Sequence, residues 1–117
     1  MTELVFTNRY ATHPDDVRGY DTEQLRQHFL LDNLMQADSL VLNYTHYERL
    51  IVGSAVPTTQ PLFLPTVDAL KAEYFLERRE LGIINVGADG VVVVDDVTQQ
   101  LANKEALYVG RGAKAVW

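Results

Sequence analysis

The chain has 117 residues, a size that buries roughly two-thirds of its unfolded surface and supports one core. Its formal charge is −6, and its 10 lysines and arginines are scattered, so it lacks the clustered cations that nucleic-acid binding needs. It has no cysteine and no apolar run near the ~20 residues that cross a bilayer, and because residues 1–6 lack a basic start and an extended apolar segment we expect no signal peptide. We therefore expect a cytoplasmic, single-domain protein over residues 1–117 without nucleic-acid or membrane partners.

The first twenty residues are rich in turn-forming residues, including His13-Pro-Asp-Asp16, and predict an irregular N-terminal arm. Asp21 or Thr22 can cap a helix, and Leu25, Phe29 and Leu30 then recur at helical spacing. The sequence predicts one short helix at about 22–31.

Beyond Ser39, branched and aromatic residues recur in short runs separated by turn formers, which is typical of strands. The first two of these runs are expected to form a hairpin, and residues 87–90 are expected to be the turn between the fourth and fifth. Residues 67–72 fit either a helical turn or an extended segment. Short strands at short intervals favour an antiparallel sandwich or barrel, and the apolar last run suggests a chain cut within a sheet. Strands are predicted at Leu40–Thr45, Arg49–Val56, Tyr74–Leu76, Gly82–Val86, Val91–Val94, Leu107–Val109 and Ala115–Trp117.

One segment has the spacing of a cupin metal strand without its histidines. In the usual pattern His-x-His is followed by a glutamate and then a glycine; these places hold Tyr74, Leu76, Glu80 and Gly87. Residues at i and i+2 of a strand share a face, so Tyr74 and Leu76 are expected to point inward where two imidazoles would bind a metal.

The second cupin stretch, Pro-x-Gly-x-x-His, is replaced by Gly110, Gly112 and Ala115. A zinc site needs four ligands, or three and a water, and Glu80 alone cannot supply them. We therefore predict no metal ligands and no catalytic residues in this chain.

Longer segments carry a more specific resemblance. The resemblance is carried mainly by two segments, Tyr74-Phe-Leu-Glu-Arg-Arg-Glu-Leu-Gly-Ile-Ile-Asn-Val-Gly87 and Glu105-Ala-Leu-Tyr-Val-Gly-Arg-Gly-Ala-Lys114. The same family resemblance extends to residues 9–16, 44–49 and 51–57. Together they closely resemble the N-terminal half of the 5-keto-4-deoxyuronate isomerases, also called 4-deoxy-L-threo-5-hexosulose-uronate ketol-isomerases. The fold that this resemblance implies is mainly β: a double-stranded β-helix (cupin) barrel, incomplete at its C-terminal edge, preceded by the arm and the short helix.

The resemblance also implies a function. Members of this family convert 5-keto-4-deoxyuronate to 3-deoxy-D-glycero-2,5-hexodiulosonate in pectin and uronate catabolism, and they assemble as hexamers. Three histidines and a glutamate of their C-terminal cupin hold a zinc ion, which can polarise the substrate carbonyl. Because that half is absent from these 117 residues, this chain is expected to be a structural, metal-free part that self-associates and is inactive alone.

Five residues are candidates for contacting a uronate-derived substrate: His46, Arg49, Arg78, Arg79 and Glu80. His46 and Arg49 lie in a polar cluster at the predicted hairpin tip, which a solvated loop also explains. The two neighbouring arginines suit bidentate capture of a carboxylate, although ion pairing with the adjacent glutamates along a strand is the favoured explanation. His13 is expected to be a turn residue, and His28 a surface or packing residue of the helix.

Two other classes of function remain open. The chain could be a stand-alone cupin that binds a small acidic sugar without chemistry, or an oligomerisation module that contacts no ligand.

Overall fold

The computed structural model describes residues 3–117. The chain divides into two compact units, Met1–Leu62 and Phe63–Trp117. The fold is mainly β, as predicted. In chain order, the elements are β1 (Glu3–Asn8), α1 (Pro14–Val17), α2 (Thr22–Phe29), β2 (Ser39–Tyr44), β3 (Ile51–Ala55), a 3-10 helix (Asp68–Leu70), β4 (Leu81–Ile84), β5 (Gly90–Val94), β6 (Val97–Leu101) and β7 (Ala106–Val109).

The first unit is built on a three-stranded sheet in the order β1-β2-β3. The predicted hairpin is confirmed, because β2 and β3 pair antiparallel with Leu42 opposite Gly53. On its other edge β2 pairs in parallel with β1, and Phe6 lies beside Leu42. All six residues of the central strand β2 are buried, the polar Ser39 and Asn43 included.

The prediction of an irregular arm over the first twenty residues is wrong in two places. Residues 3–8 form β1, whose partner β2 lies far along the chain, so local turn signals could not reveal the pairing. Residues 14–17 form α1, and the Nδ1 atom of His13 accepts a hydrogen bond from the Asp15 backbone N–H at 3.0 Å.

The predicted short helix is confirmed as α2, beginning at Thr22 and ending at Phe29. Asp21 caps it: its carboxylate accepts from the Gln24 N–H at 2.8 Å, and the Gln24 side chain accepts from the Asp21 N–H at 3.0 Å. These reciprocal bonds form a capping box, which satisfies backbone donors at the helix start.

The second unit contains two antiparallel pairs, β4-β7 and β5-β6. Residues 85–89 join β4 to β5, but these two strands do not pair with each other as a hairpin, because β4 pairs with β7 and β5 with β6. The predicted strand Ala115–Trp117 is reduced to a single antiparallel bridge between Val94 and Val116.

The predicted strand Tyr74–Leu76 is wrong, since residues 73–78 form turns and bends. Phe75 and Leu76 are consecutive and both buried, at 7% and 1% exposure, whereas a strand would alternate its side chains. The Leu76 carbonyl accepts from the Gly112 N–H at 2.7 Å, an isolated bond outside any ladder.

The strands of residues 3–117 form three separate sheets and no closed barrel. The cupin assignment is compatible with these sheets and remains a proposal. Within the described residues, no helix has the length and apolar character to cross a membrane.

Candidate functional site

The five candidate residues divide between the two units. His46 and Arg49 lie in the first unit, at the tip of the β2-β3 hairpin, whereas Arg78, Arg79 and Glu80 precede β4 in the second unit.

The imidazole of His46 lies between two tyrosine rings. Its centroid is 4.2 Å from that of Tyr44 and 4.5 Å from that of Tyr10, with interplanar angles of 24° and 18°. Its Nε2 atom is 2.9 Å from the side-chain oxygen of Asn8. Tyr44 is buried at 9% exposure, His46 is half-buried and Tyr10 is 69% exposed, so the stack runs from the core outward. We call these four residues the His46 cluster.

The backbone around His46 is held in an unusual conformation. His46, Glu48 and Arg49 have φ of 60°, 53° and 58°, in the left-handed region that L-residues seldom adopt. The Thr45 N–H and hydroxyl both donate to the Leu50 carbonyl, at 2.9 and 2.8 Å, and close the tip. Arg49 is exposed on this tip.

A second contact joins the same tip to the chain after β1. The Tyr47 hydroxyl accepts from the Thr12 backbone N–H at 3.2 Å and lies 3.2 Å from the Thr12 hydroxyl. Hydrogen bonding from Thr12 lowers the pKa of the Tyr47 phenol below its ordinary value. The hairpin tip is therefore tied to residues 8–12 by side chains as well as by the sheet.

Sequence reasoning found His46 and its neighbours on β2 but missed Asn8 and Tyr10. Both are brought to His46 by the parallel pairing of β1 with β2, which places Asn8 beside Tyr44. A recognisable strand pattern in Glu3-Leu-Val-Phe-Thr-Asn8 was the available signal.

In the second unit, Arg78 serves the local backbone. Its Nη2 atom donates to the carbonyl oxygens of Leu70 and Lys71 at 3.0 and 2.8 Å, at the end of the 3-10 helix. Its Nη1 atom is 3.7 Å from the Glu77 carboxylate. The end of a helix leaves backbone carbonyl groups without intrahelical hydrogen-bond donors, and the Arg78 guanidinium supplies the donors here.

Arg78 also borders an open groove of about 610 Å³. The charged side chains that line the groove are largely paired with one another, as in the ion pair between Lys71 and Asp68 at 2.9 Å. The groove is lined by Thr66, Val67, Asp68, Lys71, Ala72, Glu73, Glu77 and Arg78.

Arg79 is half-buried, and Glu80 is exposed next to β4. Tyr108 on β7 forms a side-chain hydrogen bond with Glu80, and this bond, together with desolvation and the charge of Glu80, raises the pKa of the phenol. The three candidates are consecutive along the chain, but Arg78 contacts the end of the 3-10 helix whereas Glu80 contacts Tyr108 on β7.

The donor set does not fit a zinc centre. Over residues 3–117, no group of three histidine, aspartate or glutamate side chains converges. At the cupin metal positions, Leu76 is fully buried, Tyr74 is half-buried and Glu80 is exposed. The metal-free character of this chain remains a prediction.

Comparison with known proteins gives the family context. The chain is 60% identical over 111 residues to a 4-deoxy-L-threo-5-hexosulose-uronate ketol-isomerase of Formosa agariphila, which covers 95% of the chain. It is 47% identical over 109 residues to the protein of that name from Halalkalibacterium halodurans, and 49% over 108 residues to that of Bacteroides fragilis (strain ATCC 25285), covering 93% and 92% of the chain. The chain spans 40%, 40% and 39% of the lengths of these three relatives. No family model matches the chain.

Proposed function

We propose that this chain, a homologue of the 4-deoxy-L-threo-5-hexosulose-uronate ketol-isomerases over about 40% of their length, is the N-terminal cupin part of such an enzyme. The observation that carries the proposal is the 60% identity extending over 95% of the chain. The enzyme converts the acyclic 5-keto-4-deoxyuronate to 3-deoxy-D-glycero-2,5-hexodiulosonate in cytoplasmic uronate catabolism.

The reaction moves a carbonyl to the neighbouring carbon, which requires a proton to leave one carbon and return to the next. Zinc, held by the remainder of the enzyme, polarises the carbonyl when bound. We assign this part a non-catalytic role because Tyr74, Leu76 and Glu80, which stand at the cupin metal-strand positions, do not form a zinc-ligand set. This part supports the catalytic half and the hexamer.

Among the five candidates, His46 and Arg49 are the better placed for substrate contact. They lie on a loop tip, where ligand-contacting residues are common, and the His46 ring is held by neighbouring side chains. Arg78 already donates to two carbonyl oxygens, so a ligand would compete with the local fold for its guanidinium.

A chimera tests the proposal directly. The matching 111-residue portion of the Formosa agariphila relative is replaced by the corresponding portion of this chain, and ketol-isomerase activity and zinc content are measured. We expect the chimera to be active and to contain zinc, and the isolated 117-residue chain to show neither property. The relative lacking this portion serves as the control and is expected to be inactive.

Two results would overturn the assignment. Isomerisation by the isolated chain, or a stoichiometric metal bound to it, would contradict the division of labour. A chimera that folds, contains zinc and lacks activity would show that this part does not replace its counterpart.

A further inference from the structure

The surroundings of His46 restrain the ring in two different ways. Stacking on Tyr10 and Tyr44 fixes the ring plane, with centroids 4.5 and 4.2 Å away. Stacking alone still allows the ring to rotate by about 180° around its Cβ–Cγ bond, which keeps the ring plane and exchanges the positions of ring nitrogen and carbon atoms. The 2.9 Å contact between Nε2 and the Asn8 side-chain oxygen selects one of the two orientations.

The same contact determines where the imidazole proton lies. An amide oxygen only accepts hydrogen bonds, so the contact with the Asn8 side-chain oxygen requires a protonated Nε2, which donates the hydrogen bond. In the neutral ring the other nitrogen, Nδ1, then has a lone pair and is an acceptor. Over residues 3–117, no hydrogen bond to Nδ1 of His46 is present, and the ring is only half-buried.

We infer that Asn8 is a positioning residue that holds His46 in the Nε2–H tautomer, so that Nδ1 accepts a hydrogen bond from a hydroxyl group of a polyhydroxy acid. The ligand class rests on the proposed function, since a deoxyhexosulose uronate carries hydroxyl donors besides its carboxylate. The tautomer rests on the geometry of the His46 cluster alone.

The chain contains an internal comparison for this arrangement. His28 also stacks on a tyrosine, with its centroid 4.7 Å from that of Tyr20 and an interplanar angle of 17°. In the part of the chain that the structure describes, its ring nitrogens have no hydrogen-bond partner like Asn8, and only one aromatic ring faces it. A difference between the two histidines therefore reports the contribution of Asn8 and the second ring.

Nitrogen-15 NMR of the histidine rings at about pH 8, where an ordinary imidazole is neutral, reads the tautomer directly. We expect His46 to show a single Nε2–H tautomer and His28 to show the mixture of an unrestrained ring. In Asn8→Leu, His46 should show a mixture of the two tautomers, as His28 does. Asn8→Asp keeps a hydrogen-bond acceptor and should preserve the single Nε2–H tautomer of His46. Asn8 is exposed, so neither substitution opens the core, and the backbone amide spectrum verifies folding.

A wild-type His46 that carries its proton on Nδ1, or a tautomer unchanged in folded Asn8→Leu, would overturn the role of Asn8. The acceptor role has its own measurement: titration of the chain with 4-deoxy-L-threo-5-hexosulose-uronate. We expect the Nδ1 resonance of His46 to move, and Asn8→Leu to weaken binding about threefold to tenfold, the effect of one hydrogen bond. An Nδ1 resonance unmoved at saturating ligand refutes the acceptor role of His46. It leaves both the tautomer result and the chimera result unaffected, so the three failures are distinguishable.

Discussion

Gly53 on β3 lies directly opposite Leu42 on β2, and the two strands approach so closely that a Cβ atom on Gly53 would be 2.8 Å from Cδ2 of Leu42. The same Cβ atom would also overlap the carbonyl oxygen of Val41. Real Cβ atoms do not approach neighbours this closely, and the overlap with a backbone oxygen cannot be relieved by a rotamer change. The close packing of the central hairpin therefore depends on this glycine.

Gly53→Ala is expected to destabilise the protein by about 1–3 kcal/mol, because overpacking forces shifts of the backbone and of neighbouring side chains. Urea unfolding followed by circular dichroism measures the change. Gly82→Ala is the matched control: Gly82 is also in a strand, β4, but a Cβ atom there would meet nothing within 4 Å. Equal effects at the two positions would contradict the close approach at Gly53.

Asp38 closes the first unit through its carboxylate. One oxygen accepts from the backbone N–H groups of Thr58 and Thr59 at 2.8 and 2.9 Å, and the other accepts from their hydroxyls at 2.7 and 3.0 Å. These bonds, led by that from the Thr58 hydroxyl, hold the pKa of Asp38 well below its ordinary value of 3.8.

A lowered carboxyl pKa implies that the folded state binds this proton less readily than the unfolded state does. The stabilisation is therefore fully present above pH 3.8 and is lost as the pH falls below that value towards the folded-state pKa. Asp38→Asn should lower the free energy of unfolding at pH 7 and should have a smaller effect at about pH 2–3, where the Asp38 carboxyl of the unfolded wild-type chain is already protonated. Asp32→Asn, at an exposed position, is the control and should have little effect on the free energy of unfolding. If Asp38→Asn lowers the free energy of unfolding by the same amount at every pH, the stabilisation does not depend on the charge of the Asp38 carboxylate.

The elements that sequence reasoning located are those stabilised by neighbours along the chain. Helix α2 is defined by its own capping box, and the β2-β3 hairpin pairs residues that are close in sequence, such as Tyr44 and Ile51. Strand β1 was missed because its partner is remote: Glu3 pairs with Ser39. Turn-forming residues between them hid this pairing from a local search.

The same distinction applies to the candidate site. His46 was found because Tyr44 and Tyr47 adjoin it, whereas Asn8 and Tyr10 reach it only through the parallel pairing of β1. The error at residues 74–76 has another origin: an aromatic and apolar composition favours a strand, but Phe75 and Leu76 are both buried by a turn. Composition alone cannot distinguish a buried turn from a buried strand.

The β5-β6 hairpin was missed because its turn contains no glycine. Val94 pairs with Val97, and the two residues between them, Asp95 and Asp96, have φ of 46° and 68°. Two consecutive left-handed residues define a type I′ turn, in which Asn-Gly and Asp-Gly are the favoured pairs. Asp96→Gly should therefore stabilise the protein by up to about 1 kcal/mol, because glycine adopts this conformation without a Cβ penalty.

Asp95→Gly is the matched comparison, and the opposite sign is expected. The Asp95 carboxylate accepts hydrogen bonds from the backbone N–H groups of Lys114 and Ala115, both at 2.9 Å, which glycine would remove. Thermal unfolding of the two variants measures both effects. A stabilising effect of Asp95→Gly as large as that of Asp96→Gly would mean that these hydrogen bonds contribute nothing.

Glu80 and Tyr108 form a pair across the β4-β7 sheet, since Gly82 lies opposite Tyr108 and Glu80 is two residues before it. The Tyr108 hydroxyl donates to the carboxylate, and the negative charge of Glu80 disfavours the phenolate, so the pKa of Tyr108 is raised. Glu80→Gln keeps an acceptor but removes the charge and weakens the hydrogen bond. We expect the pKa of Tyr108 to fall towards its ordinary value of 10.0, measured by the chemical shift of its Cζ atom during a pH titration.

Tyr47 is the internal control, because its pKa is lowered by Thr12 in the first unit and Thr12 is untouched by this substitution. A Tyr108 titration unchanged in Glu80→Gln would show that the pair is not formed in solution.

The pair also bears on the proposed substrate contacts: an ionised Glu80 repels the carboxylate of a uronate, so a favourable contact from Glu80 must be to a hydroxyl group. If Glu80 contacts the carboxylate end instead, Glu80→Gln should strengthen uronate binding; if it accepts from a hydroxyl group, the same substitution should weaken it. Calorimetric titration of the wild type and of Glu80→Gln with the uronate distinguishes the two contacts by the direction in which the affinity changes.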